Sequence, residues 1–152
     1  MFARGALAAV WALLLIVGLS AASLVAAGDS DRTVRGTVGG GKTYNVKIRK
    51  TRVGKEVAYV FRVRRRARIT ATITNTGPNI DGQFDCFNAG FLNAEGEDID
   101  VLDNASCITP GRTDRVRERL RPGKYFLNFS IITDPVQFRF RLTPKRAIRK
   151  PG

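Results

Sequence analysis

Histidine is absent from this chain, and methionine and tryptophan occur once each. Without an imidazole, no Ser-His-Asp triad, Cys-His dyad, His-ligated zinc or haem-His site can be assembled from the chain alone. Cysteine is scarce: Cys86 and Cys107 are the two thiols, and no C-x-x-C spacing offers a dithiol redox centre. Acid is also short, with 13 Asp+Glu against 26 Lys+Arg and a formal charge of +13 over 152 residues. No motif among the remaining arginines, lysines and carboxylates amounts to a reaction, so the chain reads as noncatalytic.

What is present begins with a leader. Arg4 precedes an apolar run over residues 6–19, and a small-residue stretch ends at Ala26-Ala27. One positive charge, an apolar core and a small-residue end make a secretory signal peptide, here an N-terminal helix cleaved after Ala27. The rival reading is an uncleaved membrane anchor over residues 6–27, since a span needs about 20 apolar residues. The Ala and Ser content of the second half favours processing, hence a secreted or periplasmic protein. The expected organisation is a signal peptide over 1–27, a flexible lead-in over 28–41 with one short strand near residues 34–38, one domain over 42–144, and a basic tail over 145–152.

Beyond the leader the dominant period is two, and no stretch carries a convincing helical period. Tyr44, Val46 and Ile48 alternate with polar residues, as do Ala67, Ile69, Ala71 and Ile73, and Phe138, Phe140 and Leu142. Apolar-in, polar-out alternation is what a sheet with one buried face requires. Turn chemistry at Asn75-Thr76-Gly77-Pro78, Pro110-Gly111, Pro122-Gly123 and Asp134-Pro135 cuts the chain into strand-length pieces. Residues 57–73 keep one apolar parity except at Arg65, so Arg64-Arg65-Arg66 is expected to turn. The fold class is therefore all-β: a single antiparallel sandwich with Tyr59, Phe61, Ile69, Phe138 and Phe140 in its interior.

The order of pieces adds a resemblance. Val57-Ala58-Tyr59-Val60-Phe61-Arg62-Val63 opens, residues 67–73 follow, an acidic strand-turn covers residues 84–101, and Pro122-Gly123-Lys124-Tyr125 starts the closing strand. Over residues 56–143 this resembles the bacterial pre-peptidase C-terminal domain, here as a free-standing, secreted example. It departs from that family's aliphatic middle strand in Phe84-Asp85-Cys86-Phe87-Asn88. The resemblance implies a jelly-roll-like β-sandwich and a noncatalytic binding or accessory module, in a family implicated in secretion, substrate binding or calcium binding.

Export places Cys86 and Cys107 in an oxidising space, where an even pair forms a disulfide. Between Ile69 and Gly111 there is no Lys or Arg, but seven acids occur, including Asp98, Asp100 and Asp103. Clustered carboxylate oxygens suit a hard cation, which makes those three a candidate calcium site; the competing reading is a solvated acidic hairpin. No other cofactor is expected. Asp98 and Asp100 also define the hydrolase alternative, although neighbouring outward positions on one strand do not oppose each other across a bond. A third reading is a structural envelope subunit.

The arginines fall into three groups: residues 62–68, residues 112–121, and residues 139–150. Arg62, Arg64, Arg66, Arg68, Arg139 and Arg141 are the candidate contacts for an anionic polymer, glycan or envelope surface. Arg62/Arg64 and Arg139/Arg141 share the outward face of their strands, so adjacent pairing of those strands would make one basic sheet surface. Export argues against a specific nucleic acid, and no aromatic platform motif is present to stack bases.

Overall fold

The computed structural model describes residues 32–48, 56–78, 86–99, 105–131 and 136–152. The leader, and with it the signal helix and the cleavage point, lies outside the described residues. Ten strands follow in order: β1 (Arg32–Thr37), β2 (Thr43–Ile48), β3 (Glu56–Val63), β4 (Ala67–Asn75), β5 (Phe87–Leu92), β6 (Ala105–Ile108), β7 (Thr113–Leu120), β8 (Gly123–Ile131), β9 (Val136–Thr143) and β10 (Ile148–Arg149). Among the described residues they form two sheets. The larger runs β1-β3-β8-β5-β6, with β10 also on β3, and the smaller runs β2-β9-β4-β7. The expected β-sandwich is what forms.

Alternation decides which side of each strand is buried. On β4, Ile69, Ala71 and Ile73 are 0% exposed while the residues between them reach the surface. On β9, Val136, Phe138, Phe140 and Leu142 turn inward and Arg139 and Arg141 outward. A slip of one residue would send either set to the wrong face, so burial fixes the register. From the larger sheet, Val57, Phe61, Val63, Phe87, Phe91, Leu127 and Phe129 complete the interior, with Tyr59 and Tyr125 half-buried against it. The rings mesh across the layers: Phe129 lies 5.4 Å from Phe140 and Phe87 lies 4.8 Å from Phe138, centroid to centroid. Such offset and tilted pairs add to plain area burial.

One pairing departs from a purely antiparallel plan, and one strand extends the sheet beyond the expected domain. β1, inside the expected lead-in, pairs with β3 in parallel, from Arg32↔Glu56 to Thr37↔Val60. The same edge of β3 then receives β10, antiparallel, at Val63 and Arg62. The basic tail is thus stitched to the sandwich. A cis Thr143–Pro144 bond and a single 3-10 turn over Lys145–Ala147 bring the chain round, and Ala147 and Ile148 are buried.

Several expected turns fall among the described residues, whereas Asp134-Pro135 lies outside them. Arg64, Arg65 and Arg66 form an exposed bend that takes the chain from the larger sheet to the smaller. Buried Asn75 closes β4: its Nδ2 donates to the Ile108 carbonyl, and its Oδ1 accepts from the Gly77 amide. Gly111 takes a φ of +80°, which residues with a Cβ rarely adopt, and leads into β7.

Candidate functional site

Each outward residue of the smaller sheet is placed by the parity that buries its neighbours. On β9 these are Gln137, Arg139, Arg141 and Thr143, and on β4 Arg68, Thr70, Thr72 and Thr74. On β7 they are Thr113, Arg115, Arg117 and Arg119, and on β2 Thr43, Asn45 and Lys47. Lys47, Arg68, Arg115, Arg117, Arg119, Arg139 and Arg141 are all exposed, and among the described residues no carboxylate stands on this face. Asp114 and Glu118 of β7 have the opposite parity, paired with the inward Ile73 and Ile69.

The rows across the face give it relief. Thr72 sits directly between Arg141 and Arg115, Thr74 between Arg139 and Thr113, and Thr70 between Thr143 and Arg117. Short threonines of the central strand therefore form a floor, with arginines rising from the strands on either side. Neighbouring strands are about 4.8 Å apart, so the two arginine rows stand about 10 Å apart, and successive outward residues on one strand about 6.7 Å. A shallow depression of about 400 Å³ lies here, bounded by Thr72, Thr74, Thr113, Arg139 and Arg141. The Thr74 and Thr113 hydroxyls are 2.8 Å apart and hydrogen-bond across the strands.

The larger sheet is different on its outward side. Ala58, Val60, Leu92 and Asn128 have outward parity yet are buried. The turn over residues 93–97 contributes to this face. Asn93 organises it, its Oδ1 accepting from the Glu95 and Glu97 amides. Arg32, level with Asn88 at the far end of the sheet, bonds Glu56 Oε2 at 2.8 Å and donates to the Gly96 carbonyl at 3.1 Å. The turn must fold back over β8 and β3 for that contact to form. Beyond it, cations stand abreast: Arg149 of β10 pairs with Arg62 of β3, which pairs with Lys124 of β8.

The six candidate arginines are therefore divided, and Arg62/Arg64 do not share a sheet surface with Arg139/Arg141. Arg68, Arg139 and Arg141 meet on the smaller sheet, Arg62 faces the opposite way on the larger sheet, and Arg64 and Arg66 occupy the bend between them. The physical reason is that β3 and β9 belong to different sheets, so their outward faces point apart. Sequence reasoning did not single out Lys47 or the threonine row; the Thr-x-Thr-x-Thr spacing of residues 70–74 was the available signal.

Cys86 and Cys107 form the expected disulfide, with Cα atoms 4.8 Å apart. It ties the chain ahead of β5 to β6, where the Cys107 amide also donates to Asn88 Oδ1 at 2.7 Å. Of the candidate calcium ligands, exposed Asp98 makes a backbone bridge to Leu92. Asp100 and Asp103 lie outside the described residues, and among the described residues no three His, Cys, Asp or Glu side chains converge. Likewise, among the described residues no helix is long and apolar enough to cross a membrane.

No protein-family model matches the chain, and no curated protein does. Solved structures do. The pre-peptidase C-terminal domain of a collagenase from Bacillus anthracis is 13% identical, over 75% of this chain and 96% of its own, with a TM-score of 0.50. PliG of Aeromonas hydrophila, a periplasmic inhibitor of g-type lysozyme, is 13% identical over 78% of this chain and 97% of its own, with a TM-score of 0.46. The sandwich thus resembles the pre-peptidase C-terminal domain in fold, as residues 56–143 implied.

Proposed function

We propose that the protein is an exported, noncatalytic accessory module that binds a linear polyanion along the outward face of the smaller sheet. One observation carries this: seven cations and no carboxylate, among the described residues, on one four-stranded face. Arginine forks take phosphate, sulfate or carboxylate oxygens in pairs, and threonine hydroxyls add neutral hydrogen bonds between them. A shallow trough between two arginine-bearing strands suits an extended chain more than a compact solute. An envelope polymer carrying phosphate or an acidic glycan has that form, and the leader sends the chain to where such polymers are found. Calcium at Asp98, Asp100 and Asp103 is no part of this mechanism.

The test is titration of dextran sulfate into the protein at several salt concentrations. Each cation that displaces a counterion steepens the fall of log K with log[salt]. Arg115→Ser, Arg117→Ser, Arg139→Ser and Arg141→Ser combined should flatten that slope and lower affinity by at least about a hundredfold at low salt. Binding that ignores salt, or that survives the fourfold variant unchanged, would overturn the reading.

A further inference from the structure

Exposed cations of the larger sheet form a cluster that the trough does not use. Arg149, Arg62 and Lys124 stand directly opposite one another on three neighbouring strands. Like charges in that relation repel, so the arrangement costs stability unless something neutralises it. Arg62, Arg64 and Arg149 also border an open cavity of about 490 Å³, lined otherwise by Val63, Pro122 and Gly123 and by no carboxylate. The backbone around it is fixed. The Arg64 amide donates to the Ala147 carbonyl at 2.8 Å, and Ile148, 4% exposed, anchors the strand that delivers Arg149. Lys124 Nζ is held 5.2 Å above the Phe126 ring centroid.

We infer that this cluster is a second oxyanion site and that one monomer bridges two polyanion chains. The inference rests on the proposed function of the trough. The trough faces outward from the smaller sheet and the cluster from the larger. With the layers about 10 Å apart and the side chains pointing away from each other, a straight chain cannot lie in both sites. Two sites of like chemistry on opposite sides make a cross-link: the second site stays open to another chain once the first is bound, and that capture is an ordinary bimolecular step. An exported module of this kind would gather anionic polymer without dimerising.

Donor-labelled and acceptor-labelled dextran sulfate, mixed and titrated with protein shown to be monomeric by sedimentation, report bridging directly. Energy transfer should rise with protein and fall again once excess protein coats each chain separately. The variant combining Arg62→Ser, Arg64→Ser and Arg149→Ser should abolish the transfer while changing affinity for a single chain by less than about fivefold. Its melting temperature should equal or exceed that of the native chain, because like charges have been removed. Binding without transfer overturns bridging and leaves the trough standing, as does one long chain wrapped per monomer. Transfer that persists in the triple variant, or that needs a dimer, also overturns it. Failure of the native protein to bind at low salt overturns the trough and the bridge together.

Discussion

The rings of Phe129 and Phe138 lie 4.4 Å apart, centroid to centroid, one from each sheet. Phe129 also meets Phe87, Phe140 and Tyr59, so its removal would open a void that neighbours on both layers can fill only in part. Phe129→Ala should cost about 3–5 kcal/mol, read as a lowered midpoint in chemical denaturation. A loss below about 1 kcal/mol would mean the layers do not meet at this pair.

The disulfide closes a separation of 21 residues that includes the acidic turn. On the loop-entropy model its removal frees the unfolded chain by about 3 kcal/mol. Replacing Cys86 and Cys107 together by Ser should lower stability by that order, and reductant should do the same to the native protein but nothing to the variant. Equal sensitivity of both to reductant would refute the bridge as its target.

Much of this was legible in the alternation. The inward sets of β3, β4 and β9 and the Arg64-Arg65-Arg66 bend follow from period two and one broken parity. Alternation says which side of a strand is buried but not which sheet the strand joins. That is why alternation alone groups Arg62 with Arg139 and Arg141, although the fold sets them back to back. The parallel β1–β3 pairing and the two-residue β10 depend on contacts far apart in sequence and leave no local period. Threonine on β4 carries no signal in the sequence because it is an ordinary outward residue of a strand. Its meaning appears only once Arg115 and Arg141 are seen on either side of Thr72.

Burial pushes the Tyr59 phenol above its ordinary 10.0, opposed by the charge of Arg35 and a side-chain hydrogen bond from it. The folded chain therefore holds this proton more tightly than the unfolded chain. Below the unfolded value the group's full contribution is present; as pH rises through the folded value that contribution is lost. Unfolding free energies measured from about pH 9 upward should fall less in Tyr59→Phe than in the native protein. Parallel curves would show that Tyr59 ionises alike in both states.

Gly40 lies tightly against the C-terminal segment. A Cβ on Gly40 would come within 2.9 Å of both Ile148 Cβ and Lys145 Cα, and the second of these is backbone that cannot swing aside. Gly40→Ala should loosen β10 and with it the placement of Arg149. Hydrogen exchange at residues 147–149 should speed up while amides of β4 and β9 keep their protection. Uniform protection in the variant would show that the segment is not held through this contact.

The trough makes a separable claim about its floor. Thr72 and Thr74 lie between arginine-bearing strands and offer hydroxyls, whereas the flanking guanidinium groups supply charge. Valine keeps the branched shape and β preference of threonine but cannot hydrogen-bond. Each neutral hydrogen bond lost from an interface is worth about 1 kcal/mol. Combining Thr72→Val with Thr74→Val should therefore weaken dextran sulfate binding by about thirtyfold at every salt concentration. The slope of log K against log[salt] should stay at its native value, because no counterion-displacing cation is gone. A changed slope, or unchanged affinity, would place the polymer away from β4 and leave the arginines as a diffuse field around the face.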